Sequence, residues 1–298
     1  MDRNHLIPKT LHYCFGMSSD FGGKPWSLVH YACLKSAVER IKPHDVFFYC
    51  EHEPRGPWWE LTRPMVTVQK IVAPREVFGN PLLHGAHRAD VVRLEKLIAS
   101  GGIYLDADVF VHRSFDSLLG HPAVLGEERV DGAVVGLCNA IILAEAGAPF
   151  LQRWHAEYRW FRSKGHDAYW DEHSVRVPYE MSKKFPGEVA VLPHTAFFWP
   201  TFERQDIARI FASAQPIDLA NVYANHLWES PAWERYLEHL TPRRVRAVDT
   251  NFHAWVRPML ENLADDFGAP TLSDRMQREF RRGARKVRKA VHQKKSVR

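Results

Sequence analysis

At 298 residues, with 45% hydrophobic and 25% charged side chains, the chain has the composition of a soluble globular protein large enough to bury a substantial core. No uninterrupted apolar run reaches the ~18 residues of a membrane span, so a transmembrane helix is not expected. The net charge of +5 is unevenly spread: Arg275 to Arg298 hold 11 Lys and Arg against Glu279 alone, which leaves 29 basic and 34 acidic side chains in residues 1–274.

In chain order, Thr10 to Phe15 reads as a strand, Ser27 to Arg40 as a helix, Val46 to Cys50 as a strand and Val66 to Val72 as another. The stretch "HGAHRADVVRLEKLIAS" follows. Its Val92, Lys96 and Ala99, with Ala89, Leu94, Leu97 and Ile98, define a helix with an apolar face that Gly101-Gly102 stops. Ile103 to Leu105 is a short strand. Strands and helices in turn predict βαβ units around a mainly parallel sheet. The second half is less regular, with a helix over Pro149 to Ser163, a strand over Val189 to Leu192 and aromatic loops such as "DAYWDEH" and "HTAFFWPTF". Cys14, Cys33, Cys50 and Cys138 sit in apolar settings without a C-x-x-C pair, which suits buried thiols rather than disulfides or zinc.

Residues 1–272 are expected to form one domain and 273–298 a basic amphipathic tail. In the tail, Met276, Phe280, Ala284, Val287 and Val291 would line one helical stripe under a basic face, suited to an anionic membrane surface. A solvated tail is the plainer alternative. The opening residues hold no apolar signal core, so the expected location is the cytoplasm, peripheral on the inner membrane face.

Asp106 and Asp108 come directly after the strand Ile103 to Leu105, at the end of a strand where open α/β sheets bind ligands. Two carboxylates two residues apart on a continuing strand share a face and can converge on one cation. A solvated turn is the bland reading of a lone D-x-D. The preceding helix carries Arg88, Asp90 and Arg93 near its start, where free N–H groups and the helix dipole favour a phosphate and Asp90 can accept hydrogen bonds from a polyol. His84-x-x-His87 lacks a third ligand nearby in sequence.

"HRADVVRLEKLIASGGIYLDADV" resembles the DXD sugar-binding region of glycosyltransferase family 32, shared in outline with the glucosylating domains of large clostridial toxins. The form is an aspartate, an arginine three residues later and a G-G-x-Y-x-D-x-D end, and all are present. "IPKTLHYCFG" is similar to the family's opening strand, which holds the nucleotide base, and "NHLWESPAW" to its closing H-x-W segment. Two departures stand at the front: Cys14-Phe15 where a tryptophan is frequent, and a longer, glycine-rich stretch from Met17 to Trp26.

The resemblance implies a GT-A-like Rossmann-type mixed sheet flanked by helices, with an irregular C-terminal acceptor region. It implies a metal-dependent retaining glycosyltransferase that moves a sugar from a nucleotide-diphosphate sugar, a UDP-sugar first, to a glycan or glycolipid in surface-polysaccharide or glycolipid synthesis. Mn²⁺ or Mg²⁺ is the implied cofactor, with Asp106, Asp108 and His226 as ligands. Tyr13, Arg88, Asp90, Arg93, Tyr104, Asp106 and Trp228 are the implied donor-binding residues. Asp106, Asp108, Arg93 and Asn139 are the implied catalytic ones. With no obvious nucleophile, a front-face mechanism through an oxocarbenium-like transition state is expected. Trp170, Phe197, Phe198 and Trp199 either stack on acceptor sugars or belong to the core. No nucleic acid is expected.

Two alternatives compete. Haloacid-dehalogenase-like phosphatases also carry D-x-D after a strand, but with threonine or valine two residues past the second aspartate, where this chain has Phe110. A non-enzymatic membrane-peripheral adaptor would use only the basic tail and leaves Arg93, Asp106, Asp108, His226 and Trp228 without a role.

Overall fold

The chain alternates through its first half as its pattern predicts. In the computed structural model, which describes residues 6–269, β1 (Thr10–Cys14), α1 (Leu28–Ile41), β2 (Asp45–Cys50), α2 (Pro57–Thr62) and β3 (Thr67–Lys70) come first. A small hairpin, β4 (Glu76–Val77) and β5 (Asn80–Pro81), leads into α3 (Gly85–Ser100), β6 (Gly102–Leu105) and β7 (Val109–Val111). The second half opens with a long hairpin, β8 (Ala123–Val130) and β9 (Ala133–Ala144), then α4 (Pro149–Glu157), α5 (Val177–Lys184) and β10 (Ala190–Leu192). It closes with α6 (Arg204–Ala212), β11 (Ala224–His226), α7 (Glu229–Ala232), α8 (Pro242–Ala247) and α9 (Asn251–Val256). The basic tail expected over 273–298, and the membrane contact read into it, lie outside the described residues.

Seven of these strands form one mixed sheet in the order β10-β8-β9-β6-β1-β2-β3. The run β6-β1-β2-β3 is parallel, as the βαβ reading requires, whereas β9 is antiparallel to both β6 and β8. The predicted helix over Pro149 to Ser163 is shorter than expected: α4 ends at Glu157 and a 3₁₀ turn covers Tyr158–Trp160.

Helices cover both faces, so β6 is apolar at every position instead of alternating. Ile103 and Leu105 belong to the same core cluster as α1 residues Val29 and Leu34, while Tyr104 joins Leu94 and Leu97 of α3 and Trp154 of α4 in the second core cluster. Each such side chain, fully buried, contributes about 1.5–3 kcal/mol. All four cysteines are buried and free, and burial pushes the Cys14 thiol up to about 12, so these thiols are inert packing groups.

Gly101 and Gly102 set the angle between α3 and β6. Gly101 caps the helix at φ 65° with its N–H on the Leu97 carbonyl at 2.8 Å. Gly102 stands at φ 123°, and a Cβ there would lie 2.6 Å from both the Thr10 carbonyl oxygen and His12 Nε2. His12 fills this corner. Its Nε2 lies 2.9 Å from the Gly101 carbonyl, to which it must donate, so Nδ1 accepts from the Tyr49 hydroxyl at 3.0 Å. Burial keeps the imidazole neutral, and in that state both ring nitrogens are satisfied.

Candidate active site

Asp106 and Asp108 do follow the carboxyl end of a strand, but the strand does not continue through them. After β6, the Asp106 N–H makes one more bond to the Ala140 carbonyl of β9 (2.8 Å), and the chain then turns with the Val109 N–H on the Asp106 carbonyl (3.1 Å). The next strand, β7, leaves the large sheet and pairs antiparallel with β11, His226 opposite Val109. The carboxylates therefore converge across a turn between two sheets. Ligand atoms of Asp106, Asp108 and His226 all lie within 4.8 Å of one another.

The α3 side of this cluster is a closed network. Arg93, buried on the inward face of the helix, reaches Asp90 Oδ1 at 3.1 Å and Asp106 Oδ1 at 3.3 Å, and donates to the Asn139 carbonyl at 2.7 Å. Its guanidinium stacks 4.3 Å above the Tyr104 ring, and the Tyr104 hydroxyl donates to Asp106 Oδ1 at 2.6 Å. Asn139 Nδ2 donates to Asp90 Oδ1 at 2.8 Å. Five of the expected residues, Asp90, Arg93, Tyr104, Asp106 and Asn139, thus meet in one unit. Arg88 is spent elsewhere: its Nε and Nη1 donate to the carbonyls of Leu82 (3.0 Å) and Met17 (3.1 Å), pinning the loops on either side of the helix start. Tyr13 is fully buried in the core cluster beside α1, and its hydroxyl has no hydrogen-bond partner.

The β11 side holds Asp108. His226 Nε2 lies 3.3 Å from Asp108 Oδ1, the Glu229 N–H donates to Oδ2 at 2.9 Å, and the Leu227 N–H donates to the Asp108 carbonyl at 3.0 Å. Trp228 packs its ring 4.2 Å from that of His226 and donates Nε1–H to the Pro200 carbonyl at 3.0 Å. It does so from a left-handed backbone, φ 52° and ψ 51°, a conformation that costs a bulky residue roughly 1–2 kcal/mol. That turn aims the Glu229 N–H at Asp108. Glu229 has no counterpart in the expected set, and the only hint in the sequence is its position beside the H-x-W segment.

Electrostatics separate the two aspartates. Burial pushes the Asp106 carboxyl above the ordinary range and Asp108 adds to it, against Arg93. Burial would also raise Asp108, yet the neighbouring His226 and the Glu229 N–H outweigh it and hold this carboxyl well below the ordinary range. Burial opposes charge on His226, and the attraction of Asp108 and Asp106 overcomes it, raising its pKa. Two carboxylates thus draw a positive charge to this point, as a proton or as a cation. A hard or borderline divalent ion fits the donor set of two carboxylates and one imidazole. His226 Nδ1 is buried without a hydrogen-bond partner, as a ring with ligand capacity to spare would be.

Of the aromatic residues weighed for acceptor binding, Phe197 and Phe198 are fully buried core. Trp170 is half-buried and boxed by His166 (4.1 Å between ring centroids), His87 (4.5 Å) and His84 (4.7 Å), at the start of α3. The structure brings His166 beside the His84-x-x-His87 pair, but among the described residues the Asp106, Asp108 and His226 group alone has three ligand atoms so close together.

Residues 30–125 match the family model described as a glycosyltransferase sugar-binding region containing a DXD motif. The chain is 38% identical over 265 residues to Glucan organizing enzyme 1 of Cryptococcus neoformans var. grubii serotype A (strain H99), covering 86% of this chain and 71% of that protein. Among solved structures, the apo structure of the bifunctional glycosyltransferase WbbM has a TM-score of 0.50 at 13% identity, covering 88% of this chain and 50% of that one. Mouse xyloside xylosyltransferase 1, apo form, has a TM-score of 0.43 at 13% identity, covering 74% of this chain and 97% of that one. The fold is GT-A-like, a mixed sheet flanked by helices.

Proposed function

The chain belongs to the glycosyltransferases with a DXD-containing sugar-binding region, and on that premise we propose a metal-dependent enzyme that moves a sugar from a UDP-sugar to a glycan or glycolipid acceptor with retention of configuration. Membership sets aside the phosphatase and adaptor alternatives. The observation that carries the metal dependence is the convergence of Asp106, Asp108 and His226 ligand atoms within 4.8 Å. These three residues would hold Mn²⁺ or Mg²⁺. When bound, such an ion supplies positive charge that stabilises the departing diphosphate.

The remaining chemistry belongs to side chains. Arg93, fixed between Asp90 and Asp106, presents a cation that cannot lose its proton to the donor side of the site. Asp90, already held by Asn139, takes the donor sugar's hydroxyls on its remaining lone pairs. Trp228 packs against the His226 ring and would pack over the donor's diphosphate or sugar. In a front-face reaction the bond to the sugar's anomeric carbon breaks toward the diphosphate while the acceptor oxygen arrives on the same face, its proton passing to the departing phosphate oxygen. Trp170 and the histidines around it form the wall against which an acceptor sugar stacks.

The curated relative carries glucan in its name, so UDP-glucose with a glucan oligosaccharide is the first pair to test. The assay is nucleotide release from UDP- and GDP-sugars with and without Mn²⁺, for the wild type and Asp108→Ala. Metal-dependent release from one donor, lost in the variant, is the expected result; metal-independent release, or none from any donor, would refute the reading. The basic segment 275–298 is proposed to contact anionic membrane, and unchanged binding to phosphatidylserine vesicles after its deletion would refute that part.

A further inference from the structure

Glu229 is buried beside the cation cluster without being one of its ligands. Its own N–H fastens Asp108 Oδ2 at 2.9 Å, while its carboxylate meets Lys24 and His30. Lys24 Nζ stands 2.8 Å from Oε2 and also donates to Ser230 Oγ at 2.9 Å. His30 Nε2 stands 2.9 Å from Oε1, close but not aligned as a hydrogen bond. The ring of His30 is set: Nδ1 accepts from the Ser27 N–H at 3.0 Å, so in the neutral ring the hydrogen sits on Nε2 and faces Glu229. Trp26 stacks on it at 4.9 Å and Phe15 meets it edge-on at 5.2 Å. One grip therefore comes from helix α1 and the other from the glycine-rich stretch after β1, regions about 200 residues away along the chain (|i−j| = 206 for the Lys24–Ser230 bond).

The grip matters because of what precedes it. Trp228 holds a left-handed backbone at φ 52°, which persists only where the surroundings over-determine it. If the 228–229 peptide relaxed, the N–H on Asp108 would swing away and the carboxylate would lose the bond that orients it. Groups one step behind a metal ligand commonly govern affinity in this way.

We propose that Glu229 is a positioning residue of the cation site: gripped by Lys24 and His30, it locks the turn that orients Asp108, and so ties the stretch after β1 to metal affinity. This rests on the reading of Asp106, Asp108 and His226 as ligands. The test is a titration of the full chain with Mn²⁺ alone, free ion read by electron paramagnetic resonance, with thermal melting recorded for each variant. Asp108→Ala should abolish binding; if it does not, the ligand reading fails, whatever Glu229 does. Glu229→Ala should weaken Mn²⁺ binding about 10–100-fold, and Glu229→Gln, which keeps the side chain's length and an acceptor for one of the two neighbours, should recover part of that loss. Lys24→Met should weaken binding less, and adding it to Glu229→Ala should cost nothing further. Mn²⁺ affinity within twofold of wild type in Glu229→Ala, even with a lowered melting temperature, would make Glu229 merely structural and overturn the proposal. If Glu229→Ala does not fold, unchanged affinity in both Glu229→Gln and Lys24→Met overturns it equally.

Discussion

Asp106 and Asp108 are separated by one alanine, yet the two sides of the site that hold them are built on different plans. The α3 side is local: apart from Asn139, its residues come from Asp90 to Asp106, one helix and the strand it feeds, and side chains grip side chains. The β11 side is remote, with Asp108 held by a histidine and a backbone N–H from more than a hundred residues later (|i−j| = 121 for the Glu229 bond). Charge follows the same division, since burial leaves the Asp106 carboxyl raised while His226 holds that of Asp108 low. On the proposed reading of the site, the α3 side carries stability and the β11 side carries affinity for the proposed cation.

The largest effect should come from breaking the local side. Arg93→Met strips the partner from two buried or half-buried acids, Asp90 and Asp106, and is expected to destabilise the fold by about 3–5 kcal/mol, read by urea denaturation. A loss under 1 kcal/mol would remove the distinction. Asp108→Ala should do the reverse, costing a hundredfold or so in nucleotide release with a denaturation midpoint near that of the wild type.

Acid should separate the sides next. Burial lowers the His12 pKa to about 4 from the ordinary 6.5, so the folded state refuses a proton that the unfolded chain accepts. The contribution is complete above pH 6.5 and is lost as pH falls toward 4, reaching on the order of 2 kcal/mol at pH 5. Because His12 ties β1 to the Gly101 cap of α3, hydrogen exchange at pH 5 should rise first around that corner, and His12→Gln should flatten the pH slope. The smallest effect is Asn139→Ala, which removes one hydrogen bond from Asp90 and should cost roughly 1–2 kcal/mol in the same denaturation assay.

The two sides also differed in how far they could be read from the amino-acid order. On the α3 side, helical periodicity, the Gly101-Gly102 stop and the D-x-D fall within one short stretch, and local chemistry dictates local structure. The β8–β9 hairpin was missed, although its turn is Asp131-Gly132 at φ 48° and 77°, a D-G signal for the tight hairpin found there. Burial of most of β9 had erased the alternation that marks a strand. On the β11 side nothing in the order of residues announces a left-handed tryptophan, nor that Lys24 and His30 will meet Glu229, because these depend on the packing of distant segments. The π-helical turns at Glu172–Arg176 and Trp233–Leu237 follow no apolar period either.

The antiparallel pairing of β7 with β11 has a consequence for how the protein is made. A nascent or truncated chain that stops before Ala224 already carries the whole D-x-D signature, and its α3–β6 unit has every local contact it needs. It lacks the strand that delivers His226 and the peptide that orients Asp108. Such a product holds two of the three proposed cation ligands, so on the proposed reading the ribosome must release the chain past His226 before the ligand set is complete.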